Sequence, residues 1–143
     1  VGKAHSNTAD AITKYRDKLN GLVGLYSYNG PAIVDEVKKA GLLGKVKIIC
    51  FDGEQRTLDD LKQGLVDMTV VQKPYEFGRL SAELLYLINR KGLAEAFKEM
   101  DPEIKKLGMT RDGDKIDTGV QVITPANAAP FLKDLAAKGL KST

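Results

Sequence analysis

The chain has 143 residues, enough for one domain with a hydrophobic core. Its 22 Lys and Arg against 19 Asp and Glu leave a net charge of +3, too small and too evenly spread for a nucleic-acid surface. The single cysteine, Cys50, excludes an internal disulfide and a thiolate metal cluster, and no apolar run approaches the ~18 residues of a membrane span.

Residues 1–7 are polar and end in Ser-Asn-Thr, a sequence that starts helices. Ala4, Thr8, Ala11, Ile12, Tyr15 and Leu19 then share one face at helical spacing. The helix fades by Lys18, and Asn20-Gly21 marks a turn. Residues 22–28 read as a strand that Asn29-Gly30-Pro31 ends. Pro31 suits the first turn of the next helix, where its missing N–H costs nothing. Ala32, Ile33, Val37 and Ala40 give that helix its apolar face.

Val46 to Phe51 is the central strand. Its run of apolar, largely β-branched residues is of the kind buried on both faces of a parallel sheet. Cys50, in the middle of this run, reads as a small buried hydrophobe. After Asp52-Gly53, Thr57 is placed to cap a helix carrying Leu58, Leu61 and Leu65. Residues 68–72 form a third strand, ended by Lys73-Pro74. A long amphipathic helix with Phe77, Leu80, Leu84, Leu87 and Ile88 then runs to Lys91-Gly92.

Residues 93–115 are charged, with a short helix up to about Met100 and a turn at residues 110–114. Residues 120–123 form a last strand, and Thr124-Pro125 opens a C-terminal helix carrying Ala129, Leu132, Leu135 and Ala136. The alternation of strand and helix predicts an α/β fold, a mainly parallel sheet flanked by helices.

Three polar residues recur where strands end: Asn29, Asp52 and Gln72. In a parallel sheet such positions share one edge, the edge where open α/β sheets bind ligands. A carboxylate and two carboxamides supply donors and acceptors together, which suits a neutral polyhydroxylated ligand rather than a phosphate. Asn-Gly-Pro and Asp-Gly are equally common as plain turns, whereas Gln is not a turn residue. Phe51 and Tyr28 could wall a sugar ring or belong to the core. His5, the only histidine, reads as a surface residue. No Ser/His/Asp set, Cys/His pair or split carboxylate pair is evident, so no enzyme activity, cofactor or metal is expected.

The stretches Gly24-Leu25-Tyr26-Ser27-Tyr28-Asn29-Gly30-Pro31, Cys50-Phe51-Asp52-Gly53 and Thr69-Val70-Val71-Gln72-Lys73-Pro74 resemble the type I periplasmic sugar-binding proteins. The ribose-binding branch of ABC-importer solute-binding proteins is the closest. The helix around residues 75–78 and a late strand over residues 116–123 fit as well. The resemblance implies that Asn29, Asp52 and Gln72 hydrogen-bond sugar hydroxyls and that Phe51 lines the pocket. It also implies an extracytoplasmic setting and the membrane subunits of an importer as partners. No signal-peptide pattern is present, and a mature exported chain would lack one as well.

Family members have two lobes, and this chain resembles only the C-terminal portion. Residues 1–72 then form a partial sugar-binding lobe. Residues 73–115 are a helical segment expected to pack on an absent first lobe, and residues 116–143 hold the return strand and last helix. An apolar face left bare on residues 75–90, with an open sheet edge, predicts self-association. Two other readings share parts of this pattern. A sensor domain of a lac-repressor-class regulator has the same fold. A phosphotransfer receiver also carries a strand-end Asp and a Lys-Pro like Asp52 and Lys73-Pro74, but the acidic pair it needs for Mg²⁺ does not follow the first strand.

Overall fold

The computed structural model describes residues 2–141. It divides the chain into two compact units, residues 1–71 with 122–143, and residues 72–121.

The first unit is built on a four-stranded sheet in the order β1-β2-β3-β6. Its strands are β1 (Gly21–Val23), β2 (Lys47–Phe51), β3 (Met68–Val71) and β6 (Gln121–Ile123), the last beginning at the unit boundary. β1 runs parallel to β2 with Leu22 opposite Ile48, and β2 runs parallel to β3 with Cys50 opposite Thr69. The helices are α1 (Gly2–Tyr15), α2 (Asn29–Lys39), α3 (Gln55–Lys62) and α6 (Ala128–Ala137). Ile48 and Cys50 meet Val34 and Val37 from α2, Leu58 and Leu61 from α3 and Phe131 from α6 in one core. At about 1.5–3 kcal/mol per fully buried large apolar side chain, this cluster is what holds the helices on the sheet. Arg56 straps α3 to α2, with Nη2 donating to Asp35 at 2.6 Å and Nε 3.4 Å from Asp60.

Several expectations are corrected. The first strand does not run through residues 22–28; it stops at Val23. A side chain at Gly24 would lie 2.8 Å from Asn29 Cβ and 3.1 Å from Ile33 Cδ1, so the backbone here turns tightly under α2. Consequently α2 begins at Asn29, with Pro31 in its first turn. α1 already starts at Gly2, and His5 lies on it, half-buried, with Nδ1 2.9 Å from Glu36 Oε1 on α2. Thr57 does not cap α3. It lies inside the helix, fully buried, with its hydroxyl against Gly30 and no hydrogen-bond partner. α6 starts at Ala128 because the Asn127 carboxamide holds the preceding turn, accepting from the Thr124 N–H at 2.7 Å and donating to the Val122 carbonyl at 3.0 Å.

The second unit contains α4 (Pro74–Lys91), α5 (Leu93–Lys106) and the antiparallel hairpin β4 (Thr110–Asp112) and β5 (Lys115–Asp117). The helix expected to end near Met100 continues to Lys106 through Pro102. Phe97, Met100 and Ile104 are all buried along it, which outweighs the ~3 kcal/mol that an interior proline costs. The late strand expected over residues 116–123 is two strands, β5 and β6, with Gly119 at φ 67° between them. The apolar face of α4 is not bare. Leu80 and Leu87 are buried in one cluster with Ala96, Met100, Ile104 and Met109, and only Phe77 of the face named above stays exposed. Arg111 ties the hairpin to α5, bonding Asp101 at 2.6 and 2.9 Å with its guanidinium over the Phe97 ring.

Candidate functional site

The carboxyl end of the parallel strands is where β1, β2 and β3 hand over to α2, α3 and α4. Asp52 comes directly after β2, in the left-handed region at φ 68°, the only non-glycine among the described residues with positive φ. Asp tolerates this region better than most side chains. The conformation is held from both sides of the peptide: the Asp52 N–H donates to the Val70 carbonyl at 2.9 Å, and the Thr69 hydroxyl donates to the Asp52 carbonyl at 2.7 Å. Both bonds go to backbone atoms. The half-buried carboxylate itself engages no protein partner among the described residues.

Asn29 is the first residue of α2 and is half-buried. Its N–H donates to the Tyr26 carbonyl at 2.9 Å, closing the turn that joins β1 to the helix. Its carboxamide, like the Asp52 carboxylate, has no protein partner among the described residues. Asn29 lines a groove of about 230 Å³ with Asn7 and Thr8 of α1, Leu22 and Val23 of β1, and Ile33. Gly30, next to it, sits where a side chain would have no room. A Cβ there would lie 2.7 Å from Thr57 Oγ1 and 2.9 Å from Cys50 Sγ. That close approach seats the start of α2 on β2 and α3.

Phe51 ends β2, opposite Val70, and is half-buried rather than part of the core cluster. Gln72 directly follows β3, is exposed, and is the first residue of the second unit. Asn29, Phe51 and Asp52 therefore lie in one unit, while Gln72 opens the other. The second unit has a groove of its own, about 260 Å³, lined by Phe77, Leu80, Leu84 and Ile116 with the carboxylates of Glu76 and Asp114; none of the four candidates touches it.

Cys50 is no part of a site. Burial pushes its thiol up to about 12, with the Asp60 and Glu54 charges adding to the effect, so it carries no thiolate at neutral pH. Tyr26 stacks on Tyr28, a pairing of neighbours in a turn that no periodicity rule would reveal. The arrangement offers an acceptor-only carboxylate directly after β2 and a donor-acceptor carboxamide at the start of α2, both unengaged among the described residues. It can bind hydroxyls, and it contains no nucleophile and base in contact. Among the described residues no group of three or more His, Cys, Asp or Glu is placed to hold a metal ion, and no helix is long and apolar enough to cross a membrane.

The family model described as periplasmic binding protein domain matches residues 1–93. Among solved structures, AraP, an arabinose-binding protein from Geobacillus stearothermophilus, is similar at a TM-score of 0.68 and 22% identity, over 90% of this chain and 40% of that one. An ABC transporter solute-binding protein from Agrobacterium vitis with bound D-fucose is similar at a TM-score of 0.58 and 27% identity, over 96% of this chain and 39% of that one. A second solute-binding protein from Agrobacterium vitis, bound with alpha-D-tagatopyranose, gives a TM-score of 0.60 at 25% identity, over 99% of this chain and 40% of that one. The chain thus spans about 40% of the length of these proteins. No curated protein sequence matches it.

Proposed function

The chain belongs to the periplasmic binding protein domain family, and on that premise we propose that it is the sugar-contacting part of a solute-binding component of an ABC importer. It binds and does not catalyse. It works outside the cytoplasm, and the membrane subunits of the importer are its partners in transport. Asn29 and Asp52 hydrogen-bond ligand hydroxyls, Phe51 supplies apolar surface beside them, and Gln72 is a further hydroxyl ligand. The ligand is a neutral sugar or polyol. Self-association is part of the same reading. β1 is an outermost strand of its sheet, and Val23 and Leu25 at its end are exposed. Leu85 and Tyr86 are exposed on α4.

The observation that carries the proposal is a pair of unengaged polar side chains, Asp52 directly after β2 and Asn29 at the start of α2, beyond the turn that follows β1. Hydroxyls need acceptors and donors at once, and these two side chains supply both. The two Agrobacterium vitis proteins bound to D-fucose and to alpha-D-tagatopyranose support a sugar as the ligand. Neither the regulator sensor nor the receiver reading draws support from such relatives.

The test is calorimetric titration of the chain and its Asp52→Asn variant with D-arabinose, D-fucose and D-galactose. Asn keeps the left-handed turn accessible, so the substitution removes charge and acceptor capacity without rebuilding the backbone. A hydrogen bond to a charged group contributes about 1.5–3 kcal/mol, so the variant is expected to bind at least about tenfold more weakly. Equal affinity of the two chains removes Asp52 from the site.

A further inference from the structure

The chain contains two Asn-Gly pairs, Asn20-Gly21 and Asn29-Gly30, and the fold gives them opposite surroundings. We propose that Asn20 is a spontaneous modification site, converted by water to aspartate and isoaspartate, and that the packing of Gly30 protects Asn29 from the same reaction. The reaction needs no ligand, so it is independent of the sugar-binding reading.

In an Asn-Gly pair the glycine nitrogen can reach the preceding side chain, because no Cβ stands in the way. At Asn20 the Gly21 nitrogen, its proton given up to hydroxide, attacks the side-chain carbonyl carbon Cγ. The Cγ–Nδ2 bond breaks, ammonia leaves with a proton taken from water, and a cyclic imide closes. Water then opens the ring. Attack at the side-chain carbonyl leaves aspartate; attack at the main-chain carbonyl routes the chain through Cβ and Cγ and leaves isoaspartate. One water is consumed and one ammonia released, with nothing oxidised or reduced.

Asn20 lies between the short helix Arg16–Lys18 and β1, outside any helix or strand, and both Asn20 and Gly21 are exposed. The Asn20 carboxamide takes no protein partner among the described residues. β1 bonds to β2 through alternate residues. The Asn20 carbonyl accepts the Lys47 N–H at 2.9 Å, and the Gly24 N–H donates to the Ile49 carbonyl at 2.9 Å. β1 is an outermost strand, so the Gly21 N–H, of the other parity, faces the open edge. Both reacting groups therefore meet water. The isoaspartate product would turn the carbonyl that accepts from Lys47 into a side-chain carboxylate at the entrance to β1.

Asn29 is fixed instead. It is the first residue of α2, and its N–H donates to the Tyr26 carbonyl at 2.9 Å. Closing the imide there requires the Gly30 nitrogen to swing out of helical geometry. Gly30 is buried, with Thr57 Oγ1 2.7 Å and Cys50 Sγ 2.9 Å from the place a Cβ would take. The swing must first lift the start of α2 off β2 and α3, a local opening that the reaction at Asn20 does not need.

The experiment follows the whole chain in mildly alkaline buffer made with ¹⁸O-labelled water, both folded and in urea. Peptide mass mapping and an isoaspartate methylation assay read the products. In the folded chain, ¹⁸O uptake at residue 20 is expected to be at least about tenfold faster than at residue 29, and the two rates are expected to converge in urea. Gly21→Ala is expected to slow the reaction at Asn20, because its methyl group crowds the attacking nitrogen. A Cβ at Gly21 meets only the Lys47 carbonyl oxygen at 3.4 Å and the Lys47 Cβ at 3.7 Å, so this variant keeps the fold. Equal rates at the two asparagines of the folded chain overturn the proposal. So does an Asn20 that stays intact in the folded chain, or a failure of both residues to convert in urea. A Gly21→Ala chain that reacts as fast as the parent overturns the Gly21 nitrogen as the nucleophile.

Discussion

The buried hydroxyl of Thr69 donates a 2.7 Å hydrogen bond to the backbone carbonyl of Asp52. Thr69 pairs with Cys50 in the β2–β3 ladder, so the bond reaches past the last ladder position and pins the left-handed residue after it. Thr69→Val keeps the shape and removes the donor. The expected cost is about 1 kcal/mol of stability, with more if the carbonyl is left dry. If Asp52 is a ligand, sugar affinity falls in the same variant, because the pinned turn aims its carboxylate. Chemical denaturation and calorimetry on one preparation separate the two effects.

Gly30→Ala sets two terms against each other. Alanine favours a helix over glycine by about 1 kcal/mol. The new Cβ, however, would lie 2.7 Å from Thr57 Oγ1 and 2.9 Å from Cys50 Sγ, and both side chains are fully buried with little room to move. Overpacking of this kind costs about 1–3 kcal/mol, so the expected net result is destabilisation. Adding Cys50→Ala to Gly30→Ala removes one obstacle and is expected to recover part of the loss. A urea midpoint for Gly30→Ala at or above that of the parent would show that the contact yields.

Acid should loosen the unit formed by residues 1–71 and 122–143. Hydrogen bonds from Lys39 and then His5 hold the Glu36 carboxyl below its ordinary 4.5. A carboxyl lowered in the folded state binds fewer protons there than in the unfolded chain. Its stabilising effect is therefore complete above the unfolded value and is lost as pH falls through the folded one. Asp60 has the opposite sign, since burial raises its carboxyl despite Arg56, and its protonation on acidification offsets part of the loss. Urea midpoints measured from pH 7 down to pH 3 should fall below about pH 4.5, less steeply in Glu36→Gln. Identical slopes in the two chains would remove Glu36 from the acid response.

Self-association predicts a light-scattering mass that rises with concentration. The free β1 edge carries no lysine or proline to discourage pairing. Val23 is 55% exposed there, and Val23→Lys is expected to lower the mass at a given concentration. A mass that stays monomeric across the dilution series removes this part of the proposal.

The alternation of elements and the central strand were legible in the sequence because they rest on local chemistry. An apolar β-branched run such as Ile48-Ile49 can be paired and buried before anything distant is known, and Asp52-Gly53 can only end it. Asp52 as a strand-end carboxylate followed from the same local rule. Other features depended on elements arriving from far along the chain. Strand β1 stops at Val23 because Asn29 and Ile33 crowd Gly24. Thr57 reads as a cap by residue type, yet it lies inside α3 with its hydroxyl packed against Gly30 of α2. The apolar side of α4 looks unpartnered until α5 extends through Pro102 and carries Met100 and Ile104 against Leu80 and Leu87. Periodicity tells which face of an element must be covered. Only the tertiary structure decides what covers it, because burial free energy depends on total apolar area and is indifferent to how far apart in the chain the two surfaces lie.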